Sequence, residues 1–176
     1  LQTLSGEQII LLRADKNGGY GAGNNLGICH SVKHIGATHV IIANPDTVFT
    51  EQCIKKMARI FEKHPDVAVV GAALEYAKTN AKAVRESGWP LQGLLSELFS
   101  MGPVCRRLFM PFLNYPMRYY KGKNAVPVDI VHGSLLMVDA EIFLSCGGYD
   151  EKMFLYQEEA VLGFKMKAAG YRTVLA

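Results

Sequence analysis

The run Val40-Ile41-Ile42-Ala43 stops abruptly at Asn44-Pro45-Asp46-Thr47, and that stop constrains the fold more than any other stretch of the chain. Four consecutive apolar, largely β-branched residues suit a strand covered on both faces, as in a sheet sandwiched between helices. Pro45 has no N–H to donate, which excludes both a helix through this point and continued ladder pairing. The strand is therefore expected to release Asp46 at its C-terminal end, the edge where open α/β sheets bind ligands. A short carboxylate there is a candidate for a metal ion or a ribose hydroxyl. The same residues also suit a plain turn, since Asn, Pro and Asp are all turn formers.

Upstream, Glu7-Gln8-Ile9-Ile10-Leu11-Leu12 reads as a strand that runs into Asn17-Gly18-Gly19-Tyr20-Gly21-Ala22-Gly23-Asn24-Asn25, a stretch too rich in glycine to be expected as regular structure. Leu26, Cys29, Val32 and Ile35 follow at helical spacing, so the glycines are expected between a strand and a helix N-terminus, where free N–H groups and the dipole favour a phosphate. Tight packing of a strand-to-helix connection accounts for the same glycines. The spacing Gly19-x-Gly21-x-Gly23 also resembles a dinucleotide fingerprint, which wants Gly or Ala where Asn24 stands. Past Asp46, Thr50 is a candidate N-cap for a helix with Cys53, Ile54, Met57, Ile60 and Phe61 on one stripe, and Val67 to Leu74 is a further strand. The alternation of strand and helix predicts right-handed crossovers and a largely parallel sheet.

Residues 75–127 are irregular, broken at Trp89-Pro90, Gly102-Pro103, Met110-Pro111 and Tyr115-Pro116, and are expected as an insertion within a single domain over residues 1–176. Leu91, Leu94, Leu95, Leu98 and Phe99 suit one amphipathic helix there. The net charge of +3 is too small to argue for nucleic acid, and none is expected as a partner. Its distribution is uneven: residues 101–123 hold five basic side chains and no acidic one, leaving 14 basic against 16 acidic elsewhere, a net of −2. Arg106, Arg107, Arg118, Lys121 and Lys123 are interleaved with Phe109, Phe112, Tyr115, Tyr119 and Tyr120, a mixture suited to a membrane surface, a pyrophosphate-bearing acceptor, single-stranded nucleic acid or a solvated, partly packed loop. Cys29, Cys53, Cys105 and Cys146 are scattered, which favours free thiols in a reducing, cytoplasmic compartment, with the basic segment available for the inner face of the membrane. No apolar run approaches the roughly 18 residues of a bilayer span. Neither terminus carries a targeting pattern, and the chain is expected to be cut at both ends.

Val128 to Val138 returns to strand character, interrupted at Gly133-Ser134 by an expected bulge or close approach of backbone to ligand. His132 is either a satisfied sheet histidine or a ligand or acceptor contact. Asp139 caps a short helix that Gly147-Gly148 ends. Glu158 and Glu159 then open a helix carrying Leu162, Met166 and Ala169 and stopped by Gly170. Acids in a first turn complement the helix dipole. Large aromatics just before them, and no adjacent cation, also suit a general base acting on a hydroxyl.

Taken together, Asn17-x-Gly19-Tyr20-Gly21-x-Gly23-Asn24-Asn25-x-Gly27, Asn44-Pro45-Asp46-Thr47, Gly147-Gly148-Tyr149-Asp150-Glu151-x-x-Phe154-x-Tyr156-x-Glu158-Glu159 and Ala169-Gly170-Tyr171-Arg172 resemble the family 2 glycosyltransferases, in the pattern of the rhamnosyltransferase-like enzymes of bacterial surface polysaccharides. The resemblance implies an α/β GT-A fold, with a mixed, mostly parallel sheet flanked by helices and a Rossmann-like nucleotide-binding half. It also implies a dTDP- or UDP-sugar donor, Mg²⁺ or Mn²⁺, a glycan or lipid-linked acceptor, and inverting transfer. By this resemblance Asp46 is the metal and diphosphate ligand and Glu159 is the base, with Glu158 beside it. Asn17, Gly19, Gly23, Asn24, Asn44, Gly133 and Ser134 are then expected along the nucleotide sugar. Three positions depart from the pattern: Asn44 stands where a stricter Asp-x-Asp motif has its first acid, Glu159 replaces Asp, and Val161 holds a place often acidic. Two rival expectations are a nicotinamide-dependent oxidoreductase using the glycine stretch, with Asp46 on the ribose, and a non-catalytic domain that binds a sugar nucleotide or a partner.

Overall fold

The computed structural model of the protein describes residues 9–74, 87–93 and 114–176. Its main sheet has five strands: β1 (His39–Ala43), β2 (Val67–Gly71), β4 (Val126–Val128), β6 (Leu135–Asp139) and β7 (Arg172–Leu175), in the order β1-β6-β2-β7-β4. A second, two-stranded antiparallel ribbon joins β3 (Gly88–Trp89) to β5 (Ile130–Val131). Among the described residues the α-helices are α1 (Gly19–His30), which a π-helical turn (Ser31–Ile35) continues, α2 (Glu51–Lys63), α3 (Met117–Tyr120), α4 (Ala140–Ser145) and α5 (Glu158–Ala168).

The sheet is mixed, as expected, but not mostly parallel. Among the described strands only β2 and β7 pair in parallel; β1 with β6, β2 with β6, and β4 with β7 are antiparallel. Strands β1, β2 and β7 do run in one direction. The expectation fails because β6 returns through the gap between β1 and β2, with Ile42 opposite Leu136 on one side and Val70 opposite Met137 on the other. The apolar runs look like those of a parallel sheet because both faces are covered all the same.

Alternation along β6 divides the core into two. Leu136 and Val138 pack with Ile28, Phe143, Tyr149, Leu162 and Met166, under α1, α4 and α5. Leu135 and Met137 pack with Met57, Ile60 and Phe61 of α2. Fully burying side chains of this size stabilises the fold by about 1.5–3 kcal/mol each, so helices on both faces hold the sheet rigid. The caps are where the sequence places them. Thr50 Oγ1 accepts the Cys53 N–H at 3.3 Å, and Asp139 Oδ1 accepts the Ile142 N–H at 2.9 Å.

Ile9 to Leu12 form no strand, and Ile9, Ile10 and Leu11 are exposed; Glu7 and Gln8 lie outside the described residues. The glycine stretch, expected as a loop, is the first half of α1. Tertiary contacts override the propensity cost of glycine: Asn17 Oδ1 accepts the Gly19 N–H at 3.0 Å, and the Phe154 carbonyl accepts the Tyr20 N–H at 3.2 Å. Gly19 has φ +89°, and a side chain there would strike the Phe154 carbonyl, so only glycine can open the helix here. Leu26 and Ile35, expected on the buried face, are exposed, and Ile28 carries the burial instead.

The run from Val128 to Val138 is no single bulged strand. It is divided among β4, β5 and β6, and Gly133-Ser134 is the crossing from the small ribbon to the main sheet. The segment expected as an insertion supplies β3 and the start of β4. Leu94, Leu95, Leu98, Phe99, Cys105, Arg106, Arg107, Phe109 and Phe112 lie outside the described residues. The described tyrosines pack on one another: Tyr115 stacks on Tyr119 at 4.6 Å, and buried Tyr120 donates its hydroxyl to the Gly88 carbonyl at 2.7 Å. Tyr119 also donates its hydroxyl to the Pro127 carbonyl of the edge strand β4 at 2.8 Å. Among the described residues no helix is long and apolar enough to cross one, and Cys29, Cys53 and Cys146 are free thiols.

Candidate functional site

Ser134 ties the end of β1 to the crossing. Its carbonyl accepts the Asn44 N–H at 2.9 Å and the Thr47 hydroxyl at 3.1 Å, and the Thr47 N–H closes a turn on the Asn44 carbonyl at 3.0 Å. The turn and the strand end that releases Asp46 are thus the same object. Asp46 sits on it exposed, with no ion-pair partner among the described residues.

One residue back, Gly133 is buried beneath the carboxylate of Glu159. A Cβ on Gly133 would occupy the place of Glu159 Oε1, so glycine is what lets α5 seat this acid against the backbone. The Tyr20 hydroxyl donates to the Gly133 carbonyl at 2.8 Å, pinning α1 to the same point. Tyr20 meets Tyr149 edge to face at 5.8 Å, and the Tyr149 hydroxyl is buried without a hydrogen-bond partner among the described residues. Burial first, and then the negative charge of Glu159, push the Tyr20 phenol up from 10.0 to about 12. Burial, followed by the nearby Tyr20 and Glu159, raises that of Tyr149 well above its ordinary value. Both hydroxyls stay protonated across the neutral range. No hydrogen bond or ion pair engages the Glu159 carboxylate among the described residues, which leaves its lone pairs available to a ligand.

Glu158 and Glu159 differ sharply although adjacent, because neighbours on a helix point about 100° apart. Glu158 is 3% exposed and its Oε1 is buried without a hydrogen-bond partner among the described residues, whereas Glu159 is half-buried. The acids are entered through strained backbone: Tyr156 and Gln157 both have positive φ, 73° and 70°. Left-handed conformations cost side-chain-bearing residues about 1–2 kcal/mol each and gather at functional sites. Nothing in the residue types signals this, since neither is Gly, Asn or Asp. Phe154, Leu155 and Tyr156 are exposed beside it.

Of the remaining expected residues, Asn17, Gly19 and Gly23 line an open groove of about 810 Å³, together with Arg13, Lys16 and Glu151. Asn24 turns its amide onto the Tyr20 carbonyl at 3.0 Å within α1. The free N–H groups expected at the helix start are partly spent, as those of Gly19 and Tyr20 already have acceptors. Fewer free N–H groups than expected are left for a phosphate, and among the described residues no strand leads into the glycines as a dinucleotide fingerprint needs. Asn25, not singled out from the sequence, clamps the segment before the acids. It donates to the Tyr149 carbonyl and to Glu151 Oε1 and accepts the Tyr149 N–H, each at 3.0 Å. A doubled Asn-Asn inside a helix, where Asn is a poor choice, was the available signal.

Among the described residues no three His, Cys, Asp or Glu side chains converge as a metal cage. Asp46 alone fits a cation bound through one carboxylate, with substrate phosphates and water supplying the other oxygens, a donor set typical of Mg²⁺.

Residues 2–176 match the sequence model of the family described as glycosyltransferase like family 2. Over 158 residues the chain is 25% identical to the low-salt glycan biosynthesis hexosyltransferase Agl10 of Haloferax volcanii, covering 90% of this chain and 46% of that protein, so it spans less than half of that relative's length. Its fold is similar to a crystal structure of GalNAc-T7 with UDP, GalNAc and Mn²⁺, with a TM-score of 0.62 at 13% identity over 94% of this chain and 30% of that one. That likeness speaks for a GT-A architecture. Because the family match runs through the strand end at Asp46, the crossing at Gly133 and the acids of α5 alike, the chain belongs to glycosyltransferase family 2.

Proposed function

We propose that residues 1–176 act as one transferase domain of an inverting glycosyltransferase, moving a hexose from a UDP- or dTDP-sugar to a hydroxyl of a glycan or lipid-linked acceptor. The sequence pattern favours rhamnose as that sugar, and the free thiols favour work in the cytoplasm. The observation that carries the reading is the seat of Glu159: a carboxylate without a neighbouring cation, held on the Gly133 backbone and half open to solvent. Such a group can take the proton of an acceptor hydroxyl as the new bond forms. The acceptor O–H bond breaks toward Glu159, the acceptor oxygen bonds to the anomeric carbon, and the nucleoside diphosphate leaves from the opposite face. One displacement of this kind inverts the anomeric centre. Glu158, buried beside Glu159, supports its placement. Tyr20 and Tyr149, held neutral, wall the base without donating to it. Asp46 is the residue that would hold Mg²⁺ or Mn²⁺, which when bound neutralises the charge growing on the diphosphate.

The test is stereochemical. Full-length protein is incubated with UDP- and dTDP-hexoses, an acceptor glycan and Mn²⁺, and the product linkage is read by NMR. An inverted anomeric centre, with turnover abolished by chelator, is expected. Retention of configuration, or turnover indifferent to chelator, contradicts the mechanism, and binding without any transfer would leave the non-catalytic reading.

A further inference from the structure

Building on that reading, we infer that His132 is a neutral hydrogen-bond donor to the hexose being transferred, presenting its Nε2–H to a sugar hydroxyl. The ring's proton is fixed by its own neighbours. The backbone N–H of Ser134 donates to His132 Nδ1 at 3.2 Å, and the Ser134 hydroxyl lies 2.8 Å from the same nitrogen. A backbone N–H can only donate, so Nδ1 carries the lone pair and the proton sits on Nε2. No described residue offers Nε2 a partner.

The ring is also held in place. The His132 N–H donates to the carbonyl of fully buried Ser87 at 3.0 Å, and the Ser87 hydroxyl in turn accepts the Leu74 N–H at 2.8 Å. The ring meets the edge of Trp89 on β3 with centroids 6.5 Å apart. A donor whose geometry is set before the ligand arrives loses little freedom on binding.

Position selects the ligand group. His132 directly precedes Gly133, on which the base Glu159 rests, and its Nδ1 is bound to Ser134, whose carbonyl holds the turn bearing Asp46. It therefore belongs to the crossing that touches both Glu159 and the turn of Asp46, and under the proposed function the transferred hexose lies between those two. A neutral N–H suits this place: it neither repeats the cation on the diphosphate nor competes for the proton that Glu159 must take.

Two substitutions divide the ring between them. His132→Asn keeps an acceptor near Nδ1 for Ser134 and loses the Nε2 donor; His132→Gln keeps an N–H near Nε2 and loses the acceptor. Calorimetry with Mn²⁺ on the full-length protein compares UDP-glucose, dTDP-glucose and dTDP-rhamnose, takes the tightest binder forward, and measures its free nucleoside diphosphate alongside. The expected result is about tenfold weaker binding of the sugar nucleotide in His132→Asn, binding within about twofold of wild type in His132→Gln, and unchanged nucleoside diphosphate binding in both. The reverse pattern, with Asn tolerated and Gln damaging, would show that His132 only holds the Ser134 crossing, and equal binding by both variants would remove the contact. If wild type binds none of the three sugar nucleotides, the transferase reading fails first and this inference fails with it.

Discussion

Asp46 and Glu159 stand on opposite sides of one short crossing and are held in opposite ways. Glu159 is clamped, with its carboxylate against the Gly133 backbone, its helix anchored by buried Leu162 and Met166, and Tyr20 locked to the same glycine. Asp46 is exposed on a turn, with only the backbone around it fixed by Ser134. Under the function proposed above, the difference follows from what each would have to do. A base has to meet a hydroxyl within a fraction of an ångström, so the protein itself must position it. A ligand for a cation that also binds a diphosphate receives much of its order from those charges when they bind.

This contrast can be broken first at Gly133. Gly133→Ala puts a Cβ where Glu159 Oε1 lies, and a displacement on the ångström scale should lower turnover about 10²-fold with nucleotide binding intact. Single-turnover assays beside calorimetry check it, and unimpaired turnover would mean that the seat is not used. Asp46→Asn should act on binding instead: nucleoside diphosphate affinity in Mn²⁺ falls about tenfold and becomes indifferent to chelator, while thermal stability moves by no more than about 0.5 kcal/mol. A large fall in stability would mean that the turn needs the carboxylate for its own structure.

Smaller effects sharpen the same picture. Tyr20→Phe removes the donor to the Gly133 carbonyl and should cost about 1 kcal/mol in a urea melt. Because the folded phenol is raised from 10.0 to about 12, its contribution is full below pH 10 and is lost as pH rises toward 12, where the unfolded chain ionises first. Tyr20→Phe should accordingly flatten the alkaline decline in stability, and an unchanged slope would deny the burial of that hydroxyl. Smallest, Gly27→Ala on α1 meets no atom within 4 Å and should stabilise the protein by about 0.5–1 kcal/mol without touching turnover.

The residues differ in how legible they were. Capping by Thr50 and Asp139, the stripe of α2 and the release of Asp46 after Ala43 could all be read from the chain, because each depends on neighbours within a few positions. The clamp around Glu159 depends on contacts far apart in sequence, such as Tyr20 with Gly133 and Asn25 with Tyr149, so spacing could suggest the acid but not its seat. The glycine stretch misled because its local propensity opposes helix and only the Phe154 carbonyl and Asn17 reverse it. The place of β6 between β1 and β2 leaves no mark on either strand, since a strand buried on both faces has the same apolar run whichever way its partner runs. The left-handed pair Tyr156-Gln157 had no residue signal at all.

The most direct measurement compares Glu159→Gln with Glu158→Gln in the full-length protein, taking donor affinity by calorimetry and turnover at saturating acceptor from the same preparations. Gln keeps nearly the shape of Glu and removes its basicity. The seated half-buried acid predicts that Glu159→Gln binds donor like wild type and loses about 10²–10⁴-fold in turnover, while Glu158→Gln changes chiefly the acceptor KM. Near-wild-type turnover in Glu159→Gln would contradict the account, and a loss confined to Glu158→Gln would transfer the base to the buried acid.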